Sequence, residues 1–208
     1  MAKERLKSPR ARLFVALDLP ADVREGLVNW QEAELTDPAL RPVAAEALHI
    51  TLCFLSYHPE KAIPRIVELI AGIPARPVSL RFEPEPAPLP KGRPRLYAVG
   101  GPSESAMALQ AELSDALGAE RLYEPEKRAF WPHVTVARVR SERATPAKGQ
   151  RRGRGRPKRV ETPPGPLPKA LLESFEGPRV VLYRSILRPT GAEYVPLAAH
   201  GLPSEGKG

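Results

Sequence analysis

Along the chain, segments in which apolar residues recur every two residues alternate with segments in which they recur about every 3.6 residues. This pattern predicts strands alternating with helices. In the first half, alternating and β-branched apolar runs predict strands at residues 12–20, 48–57 and 77–84. Helical spacing of apolar residues predicts helices at 21–35 and 59–73. The first half therefore reads as strand, helix, strand, helix, strand.

The second half repeats this order after a proline-rich stretch. The first predicted elements are a strand at 95–101 and a helix at 103–117, with Ser103 as the N-cap of the helix and Gly118 at its end. A strand at 130–140 follows. Two closing strands are predicted at 179–189 and 192–200, with Thr190 and Gly191 at the turn between them. Residues 141–168 are basic and rich in proline, and we expect a mobile loop there. The matching order of the halves indicates an internal pseudo-repeat.

Each half carries one His-x-Thr tripeptide in a predicted strand, at His49–Thr51 and at His133–Thr135. Side chains two residues apart share one face of a strand, so each histidine points the same way as its threonine. Ile50 and Val134 then point to the opposite, buried face. If a pseudo-twofold axis relates the halves, the two pairs face each other across a cleft.

Two imidazoles and two hydroxyls suit phosphoryl transfer without a metal. One neutral histidine accepts a proton from the attacking oxygen and a protonated one donates a proton to the leaving oxygen, each role contributing about 10²–10⁴ in rate. The threonine hydroxyls donate hydrogen bonds to phosphate oxygens. We therefore predict that His49, Thr51, His133 and Thr135 are the catalytic residues.

The lone cysteine, Cys53, leaves no disulfide within the chain and no zinc-type cysteine cluster. Strict alternation puts Cys53 on the face of His49 and Thr51 and turns Phe54 to the core. On that face the Cys53 thiol could act as a nucleophile, but we favour a packing role for this small side chain at the floor of the cleft. His58 and His200 form no metal-binding pattern, so we expect no metal and no cofactor.

Charge is concentrated in one segment. The run from Lys148 to Arg159 supplies seven positive charges without an acid, against a net charge of +8 for the whole chain. Its Arg-Gly-Arg-Pro core is typical of nucleic-acid contacts, although runs of this kind are more often solvated loops. No run of 18 apolar residues is present, and we expect a soluble, cytoplasmic monomer without membrane association.

The sequence resembles the 2H phosphoesterases, and within them the RNA 2′,3′-cyclic phosphodiesterases, also called 2′-5′ RNA ligases. The resemblance covers most of the chain outside the basic insert. It lies in "RLFVALDLP", "HITLCFL", "PHVTVAR" and "LYRSILRPTGAEYVPL". It implies a single α+β domain over residues 1–208, with two pseudo-symmetric lobes, each an antiparallel sheet with helices on its outer face, around a central cleft.

The resemblance also implies roles for individual residues. His49 would donate a proton to the leaving 3′ oxygen, and His133 would activate water to open a cyclic phosphate to a 2′-phosphomonoester. Arg138 would hold the phosphate, which requires a twist or bulge because strict alternation turns it away from His133. Two alternatives stay open: 2′-5′ RNA ligation at the same site, and nucleic-acid binding through the Arg-Gly-Arg-Pro loop.

Overall fold

The computed structural model describes residues 9–142, 155–188 and 191–205. The strands, in chain order, are β1 (Arg10–Asp18), β2 (Leu40–Pro42), β3 (His49–Pro59), β4 (Ser79–Leu80), β5 (Ala87–Leu89), β6 (Leu96–Gly100), β7 (His133–Val139), β8 (Phe175–Glu176), β9 (Arg179–Arg188) and β10 (Gly191–Gly201). The helices are α1 (Ala21–Glu34), α2 (Ile63–Ala71) and α3 (Glu104–Ala119), with 3-10 turns at Ala45–Ala47, Glu60–Ala62 and Lys169–Leu172.

Most of the strands form one antiparallel sheet, in the order β10-β9-β1-β3-β7-β6-β5, with β2 on β7. The sheet has two halves: β10, β9, β1 and β3 make the first lobe, and β7, β6, β5 and β2 make the second. Among the described residues, a single register pair, Ile50 with Val134, joins β3 to β7. The α+β class and the antiparallel pairing predicted from the sequence are confirmed.

The helices cover the face of the sheet that lies opposite the cleft. The buried apolar stripes of α1 and α3 join one core with Ile66 and Ile70 of α2. α1 follows β1 in the first lobe but packs beside β7, where Gln31 Nε2 donates to the carbonyl of Val136 at 2.6 Å. α3 follows β6 in the second lobe but packs beside β3. Each long helix thus supports the motif-bearing strand of the other half.

Several predicted boundaries need correction. The strand expected at 77–84 contracts to the two residues of β4, which pair only with β8 in a separate small sheet. α3 begins at the Ser103 N-cap, whose side chain accepts a hydrogen bond from the Ala106 N–H, but it runs past Gly118 to Ala119. Arg121, with φ of 57°, takes the left-handed conformation after it. Thr190 of the predicted turn lies outside the described residues.

The basic segment at 141–168 is described only in part, since 143–154 lie outside the described residues. Its second part returns along the end of β7: Ser141 pairs with Pro157, and the Lys158 N–H donates to the Arg140 carbonyl at 2.8 Å. Leu167 is buried in the core, which the polar composition of the segment did not indicate. No helix in the described ranges is long and apolar enough to cross a membrane.

Candidate active site

Both His-x-Thr pairs line one cleft of about 630 Å³ at the junction of the lobes. Ile50 and Val134 are fully buried, while the flanking histidines and threonines are half-buried, as the alternation of each strand predicted. Depressions of about 850 and 860 Å³ lie elsewhere on the surface, but neither contains a residue of the two tripeptides. The cleft is therefore the place where the predicted chemistry can occur.

The cleft lining is basic and carries no carboxylate among the described residues. Four arginines contribute to it: Arg12, Arg41, Arg138 and Arg188. Arg188 is held by Glu193, with Nε to Oε2 at 3.0 Å, and Arg12 donates to Ser185 Oγ at 3.1 Å. A concave surface with this charge attracts anions such as phosphates.

Arg138 lies on the cleft because of a β-bulge. Ala98 pairs with Thr135 and Tyr97 with Ala137, so Val136 is one extra residue in β7. The bulge reverses the alternation after the motif and brings Arg138 onto the face of His133 and Thr135. The irregularity that the family resemblance required for this arginine is present.

β3 has the same irregularity at the equivalent place. Ala16 pairs with Thr51 and Val15 with Cys53, which makes Leu52 the extra residue. Cys53 consequently turns into the core, where it is fully buried, and Phe54 turns outward and is 40% exposed. Both orientations expected from strict alternation were wrong. Burial raises the pKa of the Cys53 thiol to about 12, so the structure gives no support to a thiolate nucleophile.

The histidine of each tripeptide is oriented by a backbone group two residues before it. His133 Nδ1 lies 2.7 Å from the Trp131 carbonyl, and a carbonyl only accepts, so Nδ1 donates and Nε2 is left to exchange a proton. His49 forms a hydrogen bond with the backbone of Ala47, and its Nε2 lies 3.2 Å from Thr51 Oγ1. The two histidines, one from each half of the pseudo-repeat, are thus held by hydrogen bonds to equivalent backbone positions.

Aromatic rings hold both imidazoles. Trp131 stacks on His133 with ring centroids 4.6 Å apart. Phe14 stacks on His49 at 5.0 Å, and Tyr194 meets the same imidazole edge-on at 5.3 Å. The rings leave each imidazole few orientations, which keeps the two residues in fixed positions across the cleft.

His49 has an electrostatic environment of its own. Burial lowers the pKa of His49 to about 4, and the positive charges of Arg24 and Arg138 act in the same direction. The negative charge of Asp18 opposes them. Asp18 pairs with His49 across β1 and β3, is 2% exposed, and accepts hydrogen bonds from Arg179 and from the Tyr183 hydroxyl, both at 2.7 Å.

Sequence reasoning missed several residues of this site, notably Arg12, Phe14, Asp18 and Tyr194. They come from β1 and β10, and only the pairing of those strands beside β3 brings them to the motif. Among the described residues, no group of three or more His, Cys, Asp or Glu side chains could hold a metal ion.

This fold and site place the protein in a known class of enzymes. The model of the 2′-5′ RNA ligase superfamily matches residues 19–160. The chain belongs to this superfamily, as the resemblance of its motifs indicated.

Individual relatives support the same assignment. The RNA 2′,3′-cyclic phosphodiesterase of Escherichia coli is 32% identical over 137 residues, which are 64% of this chain and 75% of that protein. The protein of the same name from Thermus thermophilus is 29% identical, over 93% of this chain and 91% of its own length.

Solved structures are similar over nearly the whole chain. The crystal structure of TT0787 of Thermus thermophilus matches with a TM-score of 0.74 at 27% identity, over 93% of this chain and 99% of that one. E. coli LigT complexed with 3′-AMP matches with a TM-score of 0.70 at 26% identity and the same coverage. The expected two-lobed fold is confirmed, and it is similar to that of LigT.

Proposed function

We propose that the protein hydrolyses RNA 2′,3′-cyclic phosphate ends to 2′-phosphomonoesters by histidine acid–base catalysis without a metal. The observation that carries this proposal is the meeting of His49–Thr51, His133–Thr135 and Arg138 in one basic cleft, whose lining among the described residues has no carboxylate. The names of the E. coli and Thermus relatives support the substrate class. The 3′-AMP complex of E. coli LigT supports a nucleotide ligand.

The proposed reaction is one in-line displacement at phosphorus. His133 Nε2 accepts a proton from water, the water oxygen forms a bond to phosphorus, and the bond from phosphorus to the 3′ oxygen breaks. His49 gives its proton to that 3′ oxygen. Thr51, Thr135 and Arg138 donate hydrogen bonds to the remaining phosphate oxygens, where negative charge increases in the transition state.

The acid role requires a proton on His49, whose pKa of about 4 leaves it neutral near pH 7 in the free protein. A bound phosphate brings negative charge beside the imidazole and raises that pKa, as Asp18 does from behind. We therefore assign the protonation of His49 to the substrate complex. A low pKa also makes the protonated imidazole a stronger acid toward the leaving alkoxide.

Phosphorus NMR of adenosine 2′,3′-cyclic phosphate, incubated with the protein in EDTA, tests the proposal. We expect adenosine 2′-phosphate as the product, and loss of most activity in His49→Ala and in His133→Ala with the fold retained. Full activity of His133→Ala would end the acid–base assignment. Activity abolished by EDTA and restored by a metal would end metal independence.

Ligation through the same site is the alternative that the superfamily name favours. A 5′-hydroxyl of RNA would replace water as the attacking group and join the strands by a 2′-5′ bond. RNA with a 5′-hydroxyl, added to the NMR experiment, distinguishes the two reactions by product. Hydrolysis alone supports the first proposal, whereas a joined product supports ligation.

The partner we propose is RNA or a nucleotide with a 2′,3′-cyclic phosphate end. We propose that the protein binds it as a monomer in the cytoplasm. The competing proposal, a nucleic-acid-binding protein acting through Lys148–Arg159, predicts that deletion of this segment abolishes function. Of that segment, 148–154 lie outside the described residues. We expect its deletion to spare hydrolysis of the mononucleotide.

A further inference from the structure

A row of basic side chains leaves the cleft along β7. Arg138 lines the cleft, Val139 is buried, and Arg140 is exposed, so Arg138 and Arg140 share one face about 6.6 Å apart. Two further basic residues stand opposite them. Arg41 on β2 pairs with Arg138, and Lys158, next to the isolated bridge of Pro157 with Ser141, donates its backbone N–H to the Arg140 carbonyl. We call Arg41, Arg138, Arg140 and Lys158 the basic ridge.

The pairing in the ridge is electrostatically unfavourable for the protein alone. Like charges directly opposite each other across antiparallel strands destabilise the pair. Here Lys158 stands opposite Arg140, beside the isolated bridge of Ser141 with Pro157, and Arg41 pairs with Arg138 across β2 and β7. An anion between Arg140 and Lys158 would relieve the repulsion of that pair.

No carboxylate of the described residues neutralises Arg138, Arg140 or Lys158, whereas arginines elsewhere on the surface are paired. Arg76, Arg184 and Arg188 each form an ion pair with a glutamate. Among the described residues, Arg138, Arg140 and Lys158 form no ion pair. Their guanidinium and ammonium groups remain available to an external anion.

The backbone holds the outer part of the ridge in place. The Arg140 N–H donates to the Ala39 carbonyl and the Lys158 N–H to the Arg140 carbonyl, both at 2.8 Å. Arg95 Nη1 donates to the Gly155 carbonyl at 3.4 Å. The exposed basic side chains thus project from a fixed edge that continues the catalytic strand.

From this geometry we infer that the basic ridge binds the backbone phosphates of the RNA chain behind its cyclic end. The inference rests on the proposed function, because it takes the cleft as the site of the terminal phosphate. The ridge is continuous with the cleft through Arg138 and extends outward from it to Arg140 and Lys158, which suits a polyanion rather than a single ion. Phosphate contacts of this kind carry no base preference.

The test compares two substrates in the double variant Arg140→Gln, Lys158→Gln. The substrates are adenosine 2′,3′-cyclic phosphate and an oligoribonucleotide of about ten residues with the same end. We expect kcat/KM for the oligonucleotide to fall about tenfold or more at about 0.1 M salt, and that for the mononucleotide to stay unchanged. The slope of log kcat/KM against log salt for the oligonucleotide becomes shallower by about 1.4, since two phosphate contacts are lost at about 0.7 each.

A variant with the same change of charge away from the ridge is the control. Lys61→Gln, Lys169→Gln removes two exposed lysines from 3-10 turns outside the cleft lining. We expect its kcat/KM and its salt slope to match the wild type. Equal losses of kcat/KM for the oligonucleotide in both double variants would show that the effect comes from net charge, and would overturn the inference. An unchanged kcat/KM for the oligonucleotide in the ridge variant would also overturn it.

A direct measurement of RNA binding tests the basic ridge independently of the proposed catalytic function. Fluorescence anisotropy of a labelled oligoribonucleotide ending in a 2′-phosphate measures affinity without turnover. If the wild type does not hydrolyse the mononucleotide, the proposed function fails, while weaker RNA binding by the ridge variant still supports the ridge. Equal affinity of the two proteins, or tighter binding of duplex DNA than of the RNA, would overturn it.

Discussion

Ile50 and Val134 pair across β3 and β7 and are both fully buried. Because neighbouring side chains alternate, the residues on either side of this pair face the cleft: His49 and Thr51 from one lobe, and His133 and Thr135 from the other. The spacing of the two histidines is thus set by a backbone pairing in the core. The pair lies where the pseudo-twofold axis relates the two halves of the chain.

Asp18→Asn tests the electrostatic support of His49. The carboxylate of Asp18 raises the pKa of His49 against the effect of burial, so its loss lowers the protonated fraction of the proposed acid. One pKa unit changes that fraction tenfold, and we expect kcat/KM for adenosine 2′,3′-cyclic phosphate to fall about tenfold. The bell-shaped pH profile, which reports the coupled pair, should extend its acid limb to lower pH.

Tyr183→Phe is the control for Asp18. It removes one hydrogen bond from the carboxylate, that of the Tyr183 hydroxyl at 2.7 Å, and keeps the charge. We expect a pH profile close to the wild type in this variant. A lower melting temperature in Asp18→Asn without any movement of the acid limb would show that Asp18 acts only on the fold.

Stability at acid pH gives a second measurement of His49. Its pKa is about 4 in the folded protein and about 6.5 in an unfolded chain, so between these values the unfolded state binds more protons. The free energy of unfolding should therefore fall as the pH decreases from 6.5 to 4, by up to about 3 kcal/mol from this residue. Above pH 6.5 its contribution should be constant.

Urea unfolding at pH 7 and at pH 4.5, in the wild type and in His49→Gln, makes this measurement. Other groups titrate in the same range, so the difference between the two proteins is the informative quantity. We expect the variant to lose less stability on acidification. Parallel losses in the two proteins would contradict a buried, neutral His49.

Sequence periodicity predicted the parts of this fold that repeat locally. It found α1, β1 and β3, and it found the two motifs because a spacing of two residues is what a strand requires. Short strands in proline-rich stretches, such as β5 (Ala87–Leu89), were missed because three residues are too few to show an alternation of apolar and polar side chains.

The bulges explain the remaining errors at the site. An extra residue in a strand is defined by the hydrogen bonds of its partner, which lies far away in the sequence. The position of Arg138 was anticipated only because the family resemblance required it. Cys53 and Phe54, without such a requirement, were placed on the wrong faces. Arg12 and Tyr194 depend on pairings across the whole chain and gave no local signal.

Phe54 is the pseudo-symmetric counterpart of Arg138, since each lies five residues after the histidine of its motif and follows the same bulge. Its ring is 40% exposed and borders the depression of about 850 Å³, not the cleft itself. The guanidinium carbon of Arg12, which lines the cleft, lies 4.7 Å from the ring centroid. An exposed ring that is one arginine away from the proposed phosphate site is suited to stacking on a nucleobase, a contact that contributes about 1–3 kcal/mol.

We therefore expect Phe54→Ala to lower kcat/KM for adenosine 2′,3′-cyclic phosphate about tenfold, within the range of that contact. Phe54→Tyr retains the aromatic face and should stay within about twofold of the wild type. A cyclic phosphodiester without a base, compared under the same conditions, separates stacking from damage to the cleft. If Phe54→Ala slows that compound as much as the nucleotide, the ring supports the site and does not bind the base.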